Sequence, residues 1–156
     1  MSLYAASVPV FRHYLGQAGR MIELAGPQAL AAQVADAFPA GQQFATAAGF
    51  AMRVACPLAG RPVPDLPAAL APRLAVARAT LGGMRVDEFR GAEVLRIQHR
   101  AGMADLDQSA SDFLFLYGMP NFMFHLTMGY AALRSAGVVL GKAEFDGFHA
   151  YAESSG

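Results

Sequence analysis

Asn121 and His125 are the two residues of this chain best placed to do chemistry. They stand four residues apart in PNFMFHLTMGYAALRSAGVVLGK, residues 120–142, so a helix there brings both side chains to one face. The imidazole of His125 titrates near neutrality, so it can act as a general base, ligate a divalent metal such as zinc or nickel, or make an internal hydrogen bond. A transition-metal site needs about three converging ligands. His13, His99 and His149 are the other histidines, and none stands at ligand spacing from His125. The bland alternative pairs His125 with Gln43, Tyr130, Asn121 or a backbone carbonyl. Tyr117 and Tyr130 are further candidates to line a pocket with Gln43, Asn121 and His125. Asp36, just before Phe38-Pro39, reads as a cap or turn carboxylate, with a catalytic role as its alternative. Asp65 reads as a cap too, and Asp87-Glu88 as a solvated face. His13 reads as the polar side of its helix.

Four helical stretches must position these residues. The first opens after Pro9 and sets Val8, Phe11, Leu15, Ala18, Ile22 and Ala25 on one stripe, with Gly26-Pro27 as a kink or an end and residues 28–35 as a continuation. A second runs over about residues 42–58, with Phe44, Ala47, Ala51, Val54 and Leu58 as an alanine-rich stripe that lets a neighbour come close. Residues 59–67, AGRPVPDLP, are a linker that no helix can cross. The third helix spans about residues 68–84 through Leu70, Leu74, Ala77, Leu81 and Met84. Residues 85–107 alternate weakly and turn at Gly102, as a small hairpin would. The last helix fills about residues 109–135, with Phe113, Leu116, Phe124, Thr127, Ala131 and Arg134 on its inward stripe and a kink at Pro120. A helix so apolar needs cover nearly all round. Residues 138–147 form a docked tail. The fold class is therefore all-α, an up-and-down four-helix bundle with a short β-hairpin before the last helix.

Composition narrows the function. With 156 residues, 54% of them hydrophobic, the chain makes one domain spanning residues 1–156. Twelve basic residues balance twelve acidic ones, which leaves no global field to attract nucleic acid or an acidic membrane. No apolar run approaches the roughly 18 residues of a membrane span. The opening segment does not read as a secretory signal, so a cytoplasmic protein is expected. Cys56, the one cysteine, excludes an internal disulfide and reads as a small buried hydrophobe. Dinucleotide, phosphate-loop, zinc-protease and serine-elbow motifs are absent. Phe113, Phe115, Phe122 and Phe124 occupy more than one face of the last helix, which points to a homodimer packed through it.

The 120–142 segment resembles the signature of an uncharacterised family of small bacterial proteins, a domain of unknown function. VPVF at residues 8–11, Asp36 with Phe38-Pro39 and Gln43, Ala59-Gly60 with Val63-Pro64, and Glu93 after Gly91 agree with it. That family is similar to the DinB/YfiT-like superfamily of metalloenzymes. The resemblance implies a four-helix bundle whose metal site takes one histidine from the second helix and two, four apart, from the last. His125 matches the later of that pair, Asn121 stands in place of its partner, and the second helix has Gln43 but no histidine. The resemblance thus implies a bundle without a working metal centre, keeping a small-ligand pocket between helices. Its rival is a metal-dependent hydrolase or small-thiol transferase. There His125 would anchor metal or act as base, Asn121 and Gln43 would orient substrate, and Asp36 would polarise a histidine.

Overall fold

A computed structural model describes residues 2–152. Helix α1 (Leu3–Ala29) starts where the Ser2 side chain accepts the Ala5 amide, a cap that lies upstream of Pro9. The sequence reading placed the start after Pro9, treating that proline as a first-turn residue. Pro9 instead sits inside the helix, and burial of Leu3, Ala6 and Val8 ahead of it offsets the missing hydrogen bond. Gly26, at φ 71°, kinks the helix before Pro27, and the run ends at Ala29, short of the expected 35.

Helix α2 (Ala40–Leu58) is the central element, with its whole expected stripe buried. It begins at Pro39 with no side-chain cap, so Asp36 does not cap it. Helix α3 (Leu70–Gly82) follows the proline linker, and Leu74, Ala77, Leu81 and Met84 are buried as expected. Its N-cap is Ala69, which corrects the capping role read for Asp65. Glu88 is also more than a solvated carboxylate. It takes a bidentate bond from Arg61 at 2.5 and 2.9 Å, while Arg61 reaches the Gly83 carbonyl at 2.7 Å, stapling the linker to the end of α3.

Two short 3₁₀ turns lead to a two-stranded antiparallel hairpin, β1 (Arg96–Ala101) and β2 (Ala104–Ser109), turning at Gly102 as expected. Ser109 then caps α4 (Ala110–Asp112), which continues through a wide π turn (Phe113–Gly118) into α5 (Met119–Ser135). The π turn settles two expectations. Its amides bond five residues back, as Met119 does to Leu114, just ahead of Pro120, which has no amide to give. The extra residue also shifts the phase of the helix. Counted from buried Phe113, the inward stripe is Gly118, Phe122, Leu126, Gly129 and Leu133. The stripe read from uniform spacing through Leu116, Phe124, Thr127 and Arg134 faces solvent instead. Leu116 is 70% exposed and Phe124 56%, so this helix is not covered all round.

Two glycines let α5 and the π turn settle onto α2. A Cβ at Gly118 would lie 2.5 Å from Val54 Cγ2, and one at Gly129 2.8 Å from the Phe44 ring. The core beneath them includes Phe11 and Phe122, whose rings meet edge-on at 4.8 Å. Helix α6 (Lys142–Asp146) docks the tail on α1. His13 Nε2 donates to the Asp146 carbonyl at 2.6 Å, and the Gln17 amide donates to Glu144 at 3.0 Å.

Gly129→Ala is expected to lower unfolding free energy by about 1–3 kcal/mol, because Phe44 must move to admit the methyl group. Gly19→Ala, on α1 with no atom within 4 Å of its Cβ position, is expected to raise it by about 0.5–1 kcal/mol. Urea denaturation of both variants checks the contrast in sign.

Candidate functional site

The residues singled out in the sequence are only partly brought together. Gln43 lies on α2, 2% exposed, and its Oε1 is 2.7 Å from Nδ1 of His125 on α5. The Gln43 amide nitrogen donates to the Phe38 carbonyl at 3.3 Å, which fixes the amide with its oxygen toward the imidazole. Nδ1 therefore carries the proton, and Nε2 keeps the lone pair. Among the described residues Nε2 has no hydrogen-bond partner.

Aromatic rings frame the imidazole. Phe50, one α2 heptad beyond Gln43, stacks at 5.5 Å and 22°, Phe38 lies parallel at 6.4 Å, and Phe124 meets the imidazole edge-on at 5.2 Å. The Arg53 guanidinium caps the Phe50 ring at 4.3 Å. Burial pushes the His125 pKa below its ordinary value, and the Arg53 charge pushes it the same way. The site thus holds a neutral imidazole with a defined tautomer.

Asn121 is half-buried beside this pair but turned back on its own helix. Its amide nitrogen donates to the Tyr117 carbonyl at 2.8 Å, one turn earlier, at the junction with the π turn. Tyr117 lies on the far side of Phe50, 5.7 Å from that ring and 4.3 Å from the His99 ring. Tyr130 is on another flank, edge-on to Phe145 of α6 at 5.5 Å, with its hydroxyl accepting from Arg134. Asp36 is exposed in the loop before α2.

The donor set at His125 does not fit a metal centre. It offers one imidazole lone pair and the neutral amide oxygens of Gln43 and Asn121, weak ligands for a transition metal, and Gln43 Oε1 already accepts from Nδ1–H. The other histidines are engaged elsewhere: His13 with Asp146, His99 Nε2 with Gln108 at 2.7 Å, and His149 with the Asp146 carboxylate. Among the described residues no three His, Cys, Asp or Glu side chains are grouped to hold a metal ion. Cys56 is fully buried on α2, and burial raises its pKa despite nearby Arg61, so it remains a thiol in the core.

Phe50 and Arg53 are the site residues that the sequence reading missed. The signal was available for Phe50, which follows Gln43 by seven residues and so returns to the same face of α2. Arg53 carried no such mark, because its role depends on lying over an aromatic ring.

Bundle and inserted hairpin together define a helical fold of the DinB/YfiT-like kind. A crystal structure of a DinB family member protein from Shewanella denitrificans has the same fold, with a TM-score of 0.81 and 24% identity over 97% of this chain and 96% of that one. The family model of a domain of unknown function, DUF1993, matches residues 3–146, and the chain belongs to that family. No curated protein matches it. No helix among the described residues is long and apolar enough to cross a membrane.

The pKa shift of His125 sets a pH dependence. Its folded pKa lies below the ordinary 6.5, so the unfolded chain binds the proton first as pH falls. The stability from the neutral imidazole is complete above about pH 6.5 and is lost as pH falls toward the folded pKa. Between about pH 7 and pH 5, the wild type is therefore expected to lose more unfolding free energy than His125→Gln, measured by urea denaturation across the pH series.

Proposed function

We propose that this chain is a cytoplasmic small-molecule-binding bundle without a working metal centre, and that its site is the groove between α2 and the last helix. The observation that carries this reading is the Nδ1–H bond from His125 to a glutamine oxygen oriented by Phe38. That bond leaves one outward lone pair without a companion ligand. A lone pair held in place beside aromatic rings suits acceptance of a hydrogen bond, or of a proton, from a bound molecule. Asn121 and Tyr117 flank the same groove and would shape its floor. Tyr130 and Asp36, on another flank and in an exposed loop, would contribute only indirectly.

The same proposal includes a homodimer. Phe115 and Leu116 on the solvent side of the π turn are 48% and 70% exposed, and Phe124 and Phe38 add apolar surface beside His125. Burying such a face against a second copy would complete the cover of the last helix and narrow the mouth of the groove.

Native mass spectrometry of protein purified without chelator or affinity-tag metal tests both parts, alongside His125→Ala. The expected species is a dimer of metal-free chains in both samples. Near-stoichiometric zinc or nickel in the wild type, lost in the variant, would overturn the metal-free reading and favour a metal-dependent hydrolase or small-thiol transferase. A monomer at micromolar concentration would overturn the dimer.

A further inference from the structure

Phe50, which stacks on His125, also lines a cleft of about 400 Å³ between α2, β1 and the last helix. Phe50, Pro57, Ile97, Phe113 and Tyr117 give it mostly apolar walls. The far wall is held in place from several sides. The His99 ring lies 4.8 Å from Phe113 and 4.3 Å from Tyr117, its Nε2 donates to Gln108 across the hairpin, and the Tyr117 hydroxyl meets the Arg100 carbonyl at 3.5 Å. The hairpin is thereby pinned to the helix, and the cleft is preformed.

Charge at the cleft has one sign. Arg53 and Arg100 line it, and no Asp or Glu does. Arg100 is loosely paired with Asp105 at 3.8 Å. Arg53 has no carboxylate partner among the described residues. Its Nε donates weakly to the Gly49 carbonyl at 3.4 Å and its Cζ lies 4.3 Å from the Phe50 ring centre, while its terminal nitrogens make no hydrogen bond among the described residues. Several other arginines also lack a carboxylate partner among the described residues; what sets Arg53 apart is its place over an aromatic ring on the wall of an apolar cleft.

We infer that the cleft binds a small aromatic or aliphatic monocarboxylate, its carboxylate on the Arg53 guanidinium and its apolar body between Phe50, Phe113 and Tyr117. This rests on the reading that the groove holds a small molecule, and it names the class. A guanidinium already held against an aromatic ring loses less freedom when it takes a carboxylate through two parallel N–H bonds. The walls remove the apolar body from water. The carboxylate would also offset the Arg53 charge that depresses the titration of His125, so the two parts of the groove communicate.

Phenylbutyrate, phenylbutanol and phenylbutylamine share a phenylalkyl body and carry an anionic, a neutral and a cationic head group, and they serve as probes for isothermal titration calorimetry. The acid is expected to bind most tightly and the amine least. Arg53→Gln, a change at an exposed position, is expected to weaken the acid by about ten-fold and leave the alcohol unchanged. His125 followed by NMR is expected to titrate at higher pH when the acid is bound. Equal affinity for acid and alcohol, or an Arg53→Gln variant that binds the acid as well as wild type, would overturn the carboxylate assignment while leaving a small-molecule groove. Failure of all three probes to bind would overturn the cleft as a site, and metal content would be unaffected by either result.

Discussion

Helix α2 and the last helix lie closer together than side chains on both would permit, because Gly118 and Gly129 leave the space that Val54 and Phe44 occupy. The candidate site hangs on that seam. It brings Gln43 within hydrogen-bond distance of His125, 82 positions away in the chain, and leaves the aromatic groove along one edge. Alanine-rich packing on α2 serves the same end: Ala47, Ala51 and Ala55 are fully buried, and their small size allows the approach while the phenylalanines fill the remaining volume.

The π turn is the second constraint. Pro120 cannot donate a backbone hydrogen bond, and the helix meets it through six residues wound wider than an α-helix. That widening rotates the rest of the helix, so Phe122, Leu126 and Leu133 enter the core while Leu116 and Phe124 stay outside. Asn121 is drawn into the same adjustment through its bond to the Tyr117 carbonyl. Asn121, one turn before His125, therefore supports the backbone here, and His125 is left with a glutamine for company.

Much of the architecture was legible in the sequence. The stripes of α1, α2 and α3, the proline linker and the hairpin at Gly102 follow from periodicity and turn chemistry, which are local properties. The pairing of His125 with Gln43 was one of several named alternatives, pointed to by the resemblance and not by periodicity, since it joins residues 82 positions apart. The failures share one origin in non-local or cumulative effects. The start of α1 was hidden because Pro9 can open a helix or be carried inside one, and only burial of Leu3, Ala6 and Val8 decides. The inward face of the last helix was misassigned because a wide turn resets the period without changing composition. Asp36 stands in a turn, one of the two readings given for it, while Asp65 has a cap-forming side chain yet α3 begins several residues beyond it. Arg53 became significant only when Phe50 came to lie beneath it.

The central claim is that His125 is a neutral imidazole whose proton is held on Nδ1 by Gln43, so that Nε2 faces outward as a single acceptor. Histidine tautomers are distinguished directly by long-range nitrogen–proton correlation NMR on labelled protein, with Gln43→Leu used to assign the effect of the bond. At neutral pH the account predicts a His125 signal with the proton on Nδ1, and a redistribution between tautomers once the glutamine oxygen is removed. A proton on Nε2 in the wild type, or an imidazolium at neutral pH, would contradict it.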